Sequence, residues 1–162
     1  MTVIFLTSCT NSEKTEKLIN PDIENKTPQS EFKKVDGYNP LGLKYQILDE
    51  KNEQIEFSKL EKMAEFPGGF ESFYVFIHKK LDLAFQMFCN DFPEGKVEFK
   101  FVIDSIGNVT EIDVVKSLRK DIDRIICDKV IAKSPKWIPA ELTNKNKVKI
   151  KFHLTLVFKV EE

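Results

Sequence analysis

The sequence lacks the long apolar runs and the charge excess that mark several classes of protein. No stretch of its 162 residues approaches the roughly 20 consecutive apolar residues that cross a bilayer as a helix. Its net charge is −1, from 25 basic and 26 acidic residues, and this balance gives no reason to expect a nucleic-acid partner. Three cysteines and two histidines are present without the spacing of a metal site. We therefore expect no nucleic acid, metal or cofactor to bind.

Groups that could carry catalysis are also scarce. The stretch "FPGGF" at 66–70 has two glycines but follows no strand of a βαβ unit, so it predicts a tight turn before a helix rather than a phosphate loop. His78 and His153 are far apart in sequence, and no Ser, Cys or carboxylate is placed to form a triad with either. We expect both histidines to be plain surface residues and the protein not to be an enzyme.

Two small clusters of side chains leave alternatives open. Asp121, Asp123 and Asp128 lie on a predicted helix. The first two could bind a metal, but capping and the helix dipole explain acidic residues near a helix start better. Cys89 and Cys127 each lie on a predicted helix over the same sheet, so they could pair in an oxidising compartment. Two separate buried thiols are an equal alternative.

A short apolar run at the N-terminus ends in a cysteine and is followed by polar residues, a pattern that resembles a bacterial lipoprotein signal. Leu6-Thr7-Ser8-Cys9 ends a short apolar run and resembles a lipobox, in which the cysteine becomes lipidated. No Lys or Arg precedes the run, so we expect the natural signal peptide to begin before Met1. The alternative is a chance cysteine in an apolar terminus. Lipidation at Cys9 would place the protein on the periplasmic side of a bacterial membrane, held by a lipid anchor.

The chain divides into three parts. Residues 1–9 resemble a truncated lipoprotein signal, and residues 10–56 read as a flexible tether because they lack hydrophobic periodicity over 10–36. Within the tether, 43–57 has two short apolar runs around a polar centre, the pattern of a β-hairpin. Residues 57–162 hold the apolar periodicity of a folded domain.

Apolar spacing in this domain predicts two helices and three strands. In order they are a helix (70–88), a hairpin of two strands (96–104 and 109–117), a helix (120–133) and a last strand (148–160). The connections favour an α+β fold, with a small three-stranded antiparallel sheet of order 2-1-3 and two helices packed on one face. The last strand then lies at an edge of the sheet.

The only tryptophan lies between two prolines in "SPKWIPA". Pro135 ends the second helix, since proline cannot continue the hydrogen-bond ladder, and Pro139 shapes the approach to the last strand. Trp137 most simply packs across the end of the sheet as a structural peg. A platform on which a ligand stacks is the alternative.

Four local motifs follow one another over about residues 57–160. They are "EFPGGF", with Pro67, Gly68 and Gly69 leading into the first helix; the hairpin "GKVEFKFVIDSIGNV"; the helix ending in "SPKWIPA", with Pro135, Trp137 and Pro139; and the closing strand "KVKIKFHLTLVF". Together they resemble the TonB C-terminal domain family. Asn146 stands where that family usually has glycine, Thr155 stands near an expected proline, and Cys127 occupies a position where small residues are common. None of these departures changes the fold that the resemblance implies.

The resemblance implies a protein that binds a partner in the cell envelope. The partner would be an extended segment of an outer-membrane transporter or of another envelope protein, added to the free edge of the last strand. The residues expected at that edge are Lys149, Lys151, His153, Thr155, Val157 and Lys159. The chain has neither a membrane-spanning anchor nor a long proline-rich rod, so binding is favoured over energy transduction. The alternative is an accessory envelope lipoprotein that forms a homodimer through the same edge.

Overall fold

The computed structural model describes residues 31–37, 39–86 and 93–159. The strands are β1 (Lys33–Lys34), β2 (Lys44–Leu48), β3 (Gln54–Ile55), β4 (Leu60–Lys62), β5 (Gly95–Ile103), β6 (Val109–Lys116), β7 (Ala140–Leu142) and β8 (Lys147–Phe158). The helices are α1 (Gly69–Phe85) and α2 (Lys120–Ile125); a π turn (Ile126–Val130) and a 3-10 turn (Ile131–Lys133) continue α2, and a short 3-10 helix spans Phe57–Lys59. The predicted α+β class is confirmed.

Strand β8 lies at the centre of the sheet. The strand order is β1-β2-β8-β5-β6, and every pair is antiparallel. The short strands β3, β4 and β7 attach at the margins, β7 pairing with the first residues of β8. The three strands predicted from the sequence keep their predicted order, β6-β5-β8.

One face of the sheet is the core of the protein. Alternate residues of β5 and β8 point to this inner face, where Phe99, Phe101, Phe152 and Leu154 are fully buried. The helices supply the other side of the core through a stripe on each. That stripe comprises Phe73, Ile77 and Leu81 of α1 and Ile122, Ile126 and Val130 of the α2 region. Because alternate strand residues point to opposite faces, the remaining β5 and β8 side chains form an outer face away from the helices.

Two glycines set the start of α1. Gly68 and Gly69 both have positive φ, 83° and 81°, a conformation that side chains with a Cβ rarely adopt. The N–H of Gly69 donates to the C=O of Phe66 at 2.7 Å, which closes the turn. The helix then follows the predicted apolar spacing to Phe85; residues 87–92 lie outside the described ranges.

The prediction of a three-stranded sheet with β8 at its edge is wrong. Strand β2 pairs with β8 from Lys44 opposite His153 to Leu48 opposite Lys149. Tyr45 and Ile47 stabilise this pairing, because their side chains point to the inner face and are almost fully buried. The sheet therefore includes residues N-terminal to the predicted domain boundary at 57, and the hairpin expected over 43–57 is present as β2 and β3.

None of the helices in the described ranges combines the length and the apolar character needed to cross a bilayer.

We expect Ile47→Ala to destabilise the whole domain by about 2–5 kcal/mol, the usual cost of removing a buried Ile side chain. Ile47 is 0% exposed between β3 and β8. Chemical denaturation followed by circular dichroism measures the change. Lys51→Ala, at an exposed position in the β2–β3 turn, is the control and should change stability by less than about 0.5 kcal/mol. A loss below 1 kcal/mol for Ile47→Ala would show that β2 is not part of the folding unit.

Candidate functional site

Trp137 is buried at the junction of the helices and the sheet. Its side chain is 2% exposed, and its indole Nε1–H donates to Ser134 Oγ at 2.8 Å. Five phenylalanines surround the ring, with centroids 5.0 to 6.3 Å away: Phe66, Phe70, Phe73, Phe101 and Phe152. A side chain enclosed in this way has no free face on which a ligand could stack.

The two proline-containing motifs meet at this residue. The N–H of Glu65 donates to the C=O of Ile138 at 2.9 Å, and the N–H of Ile138 donates to the C=O of Glu65 at 2.8 Å. This bridge places Pro67-Gly68-Gly69 beside Trp137 and Pro139. The structure therefore brings together two motifs that are about 70 residues apart, and the joint they form fixes α1 against the end of the sheet.

Gly107 completes the joint, a role that the sequence analysis did not assign to it. The N–H of Trp137 donates to the C=O of Gly107 at 2.8 Å. A Cβ on Gly107 would lie 2.0 Å from the carbonyl oxygen of Trp137, far inside contact distance, and φ is +93°. The β5–β6 turn can approach Trp137 only because this residue is glycine.

The acidic residues of α2 are used in local hydrogen bonds. Asp123 is buried and accepts from the Ser117 hydroxyl and from the N–H of Leu118 at 3.2 Å. Asp121 accepts from Arg119 Nε at 2.8 Å. The two carboxylates thus face different partners. No group of three or more metal-binding side chains occurs in the part of the chain that the structure describes.

The cysteines offer no reactive site in the described ranges. Burial raises the pKa of the Cys127 thiol to about 11, so it is protonated at neutral pH. Cys9 and Cys89 lie outside the described residues, and both the lipidation of Cys9 and a Cys89–Cys127 pair stay predictions.

The expectation that both histidines are plain surface residues is wrong. The ring of His78 contacts the ring of Tyr74, with centroids 4.2 Å apart. His153 is 19% exposed on the outer face, and its Nε2 lies 3.2 Å from Glu98 Oε2. Burial lowers the pKa of His153 below its ordinary value of 6.5 and outweighs the opposing effect of Glu98. The contact is therefore mainly a hydrogen bond to a neutral imidazole at neutral pH.

The six residues predicted to bind a partner fall into two groups. Lys149, Lys151 and His153 lie opposite β2 and are no longer at an edge. Thr155 and Val157 lie beyond the last paired residue, His153, which is opposite Lys44, the first residue of β2. Lys159 is exposed just after β8.

The main-chain N–H and C=O groups of Thr155 and Val157 point to the side of β8 that pairs with β2. The C=O of Leu43 accepts from Val35 on the β1 side of the strand, so Lys44 directs its main-chain groups to β8. The side to which the main-chain N–H and C=O groups point alternates from one residue of a strand to the next. The main-chain groups of Thr155 and Val157 therefore point to the same side as those of His153. Within the described residues, no strand pairs with β8 on this side after His153. We call this short open edge the β8 notch.

The loop before β2 leads directly into Lys44, the residue that lies opposite His153. The side chain of Asn39 fixes this loop: its Nδ2 donates to the C=O of Val35 at 3.2 Å, and its Oδ1 accepts from the N–H of Leu43 at 2.8 Å. The part of β8 beyond its pairing with β2 runs from Leu154 to Phe158. At about 3.4 Å per residue, it accommodates an extended segment of only four or five residues.

The two margins of the sheet in the described ranges are β1, which has only two residues, and β6, which is irregular. Its register with β5 shifts at two places, and Glu111 has a φ of +48°. Bulges and charged side chains such as Asp113 are features that obstruct the addition of a further strand. Compared with β6, the β8 notch is a regular strand edge.

The architecture defines a small α+β domain with a central antiparallel sheet and a helical layer on one face. Residues 93–160 match the family described as Gram-negative bacterial TonB protein C-terminal, and the predicted resemblance is confirmed for this segment. The match covers β5, β6, the α2 region, β7 and β8, whereas α1 and the strands before it lie outside the match. No curated protein and no solved structure matches the chain significantly. A domain of this type implies a protein of the bacterial envelope.

We expect Trp137→Ala to destabilise the protein by about 3–5 kcal/mol, because the substitution leaves a large cavity among the surrounding phenylalanines. Trp137→Phe is the matched comparison: it keeps an aromatic ring but loses the bond to Ser134, and it should cost less. Urea denaturation provides both values. A loss under about 1 kcal/mol for Trp137→Ala would mean that the residue is not a structural peg, and a ligand-stacking role would then be favoured.

Proposed function

We propose that this is an envelope protein whose domain binds an extended segment of a protein partner at the β8 notch. The observation that carries the proposal is the pair of residues Thr155 and Val157, whose main-chain N–H and C=O groups point to the side of β8 on which, within the described residues, no strand pairs beyond His153. Unpaired main-chain groups of this kind are a template for an added strand. The segment would lie in line with β2.

Recognition at the β8 notch would depend mainly on the main chain of the partner. Two residues of β8 offer four hydrogen-bonding groups, and the side chains of Thr155 and Val157 on the outer face are small. The available length favours a short extended segment, such as one near a chain terminus or in a flexible loop. The family match supports an outer-membrane transporter or another envelope protein as its source, and a binding role rather than an enzymatic one.

Self-association is the alternative use of the same edge. Two copies could pair their β8 strands in antiparallel fashion around a two-fold axis, since such an interface uses the same residues from both subunits. The two uses can be distinguished by the oligomeric state of the purified protein, because only self-association forms a complex in the absence of a partner.

We expect Thr155→Pro to reduce binding at least about tenfold while the domain stays folded. Within the described residues no strand pairs with Thr155 on the side to which its N–H points, so proline removes a donor that an added strand would use. Thr155→Val is the matched control, because it keeps the N–H and the β-branched shape. The full-length protein would be immobilised and exposed to envelope extracts, and captured proteins would be quantified for each variant.

The folded state of each variant is checked by circular dichroism, and its mass by sedimentation velocity. Unchanged capture by a folded Thr155→Pro variant would show that the partner docks elsewhere. A dimer that is lost in Thr155→Pro, with no protein captured by the parent chain, would favour self-association.

We further propose that Cys9 is lipidated and that the tether holds the domain near the periplasmic surface of a membrane. The lipobox-like Leu6-Thr7-Ser8-Cys9 supports the anchor. Several acyl chains would be needed, since one chain binds a bilayer only marginally.

The native N-terminus tests the anchor directly. We expect mass spectrometry of the protein purified from its own membranes to find Cys9 as the first residue with attached acyl chains. The substitution Cys9→Ala should move the protein from the membrane fraction to the soluble fraction. An unmodified chain that retains residues before Cys9 would contradict lipidation.

A further inference from the structure

The outer face of the sheet has a strong excess of positive charge. Register pairs place the side chains of partner residues on the same face, so the row Lys44, His153, Lys100 and Asp113 crosses four strands. The register pairs among β2, β8, β5 and β6 place six lysines and two carboxylates on this face: Lys44, Lys96, Lys100, Lys116, Lys149 and Lys151, with Glu98 and Asp113. At its margins Lys34 pairs in register with Lys44, and Lys147 pairs with Glu141. The whole chain has a net charge of −1, so acidic residues predominate elsewhere.

Half of these lysines are available to an external anion. Lys96 Nζ lies 2.9 Å from Glu98 Oε1, Lys100 Nζ lies 5.1 Å from the ring centre of Phe32, and Lys149 Nζ donates to Asn52 Oδ1 at 3.0 Å. Within the described residues, Lys44, Lys116 and Lys151 form no ion pair. Their charges are spread over three strands.

The chain also reaches the sheet at this face. The ring of Phe32 contacts the ring of His153 on the outer face, with centroids 5.6 Å apart. The C=O of Glu31 accepts from Gln54 Nε2 at 3.3 Å. The described part of the chain therefore begins, at Glu31, on the side that carries the lysines.

We propose that the outer face docks on the surface of a bilayer that contains anionic phospholipids. The lysines lie on four strands spaced about 4.8 Å apart, around a centre where Gln46 and Val102 are buried on the outer face, so they are spread over an area rather than lining a groove. Such an area matches many lipid phosphates at once, whereas a single acidic segment would contact one row. The orientation toward the membrane rests on the proposed anchor at Cys9; the charge of the face does not.

Vesicle binding by the unlipidated full-length Cys9→Ala protein tests the proposal. We expect it to sediment with vesicles of phosphatidylglycerol and phosphatidylethanolamine, but not with phosphatidylcholine vesicles, and to be released by salt because screening weakens surface electrostatics. Replacing Lys44, Lys116 and Lys151 together by Gln should weaken binding by roughly tenfold to 100-fold, since each lysine near an anionic surface contributes about fivefold.

The matched control replaces Lys79, Lys129 and Lys133 by Gln. These lysines are exposed on the helical layer, and the control changes the net charge equally, so it should bind vesicles nearly as the parent does. Equal losses in both triple variants, or equal binding to phosphatidylcholine, would overturn the proposal. So would displacement by inorganic phosphate beyond the effect of chloride at equal ionic strength, which would indicate a site for free anions. Thr155→Pro retains all six lysines and should bind vesicles normally. A failure of partner binding at the β8 notch can therefore be distinguished from a failure of vesicle binding at the outer face.

Discussion

The pairing of β8 on both of its sides is the constraint on which the rest of the structure depends. On one side β5 pairs with β8 from Gly95 to Ile103, and on the other side β2 pairs with it over five residues. This double pairing buries the inner residues of β8 and aligns the lysine rows of the outer face. The difference in length between the two neighbours leaves the β8 notch. The core, the charged face and the open edge thus all follow from where β2 begins and ends.

Trp137 has a separate role, because it connects parts of the chain that β8 does not reach. Its indole contacts Phe66 before α1 and Phe152 in β8, and the main-chain N–H of Trp137 donates to the C=O of Gly107 in the β5–β6 turn. Both proline-containing motifs are accordingly structural. The absence of a ligand platform at this position directs attention to the sheet margins, where main-chain groups rather than aromatic rings would make contact with a partner.

Local patterns predicted the two helices and the strands β5, β6 and β8, because apolar spacing reports which face of an element is buried. The docking of β2 on β8 could not be predicted in this way, since Lys44 and His153 are more than 100 residues apart and "LKYQIL" indicates only that a strand forms. The candidate site depended on that contact. Thr155 stays at an edge and His153 does not, and nothing in the alternation of β8 distinguishes them. The sequence indicated that Gly107 lies in a turn, but the close contact between Gly107 and the main chain of Trp137 forms only when the chain folds.

The position of β2 also affects how the domain can be divided. A fragment trimmed to residues 93–160, the limits of the family match, would remove β2 together with α1. The side of β8 from Lys149 to Val157 would then be exposed as one continuous, regular edge, and the inner face would lose Tyr45 and Ile47. Long uncovered edges recruit other strands without discrimination. Binding measured with such a fragment would include non-specific association through this edge. In the intact chain β2 covers the edge and thereby protects the domain against aggregation.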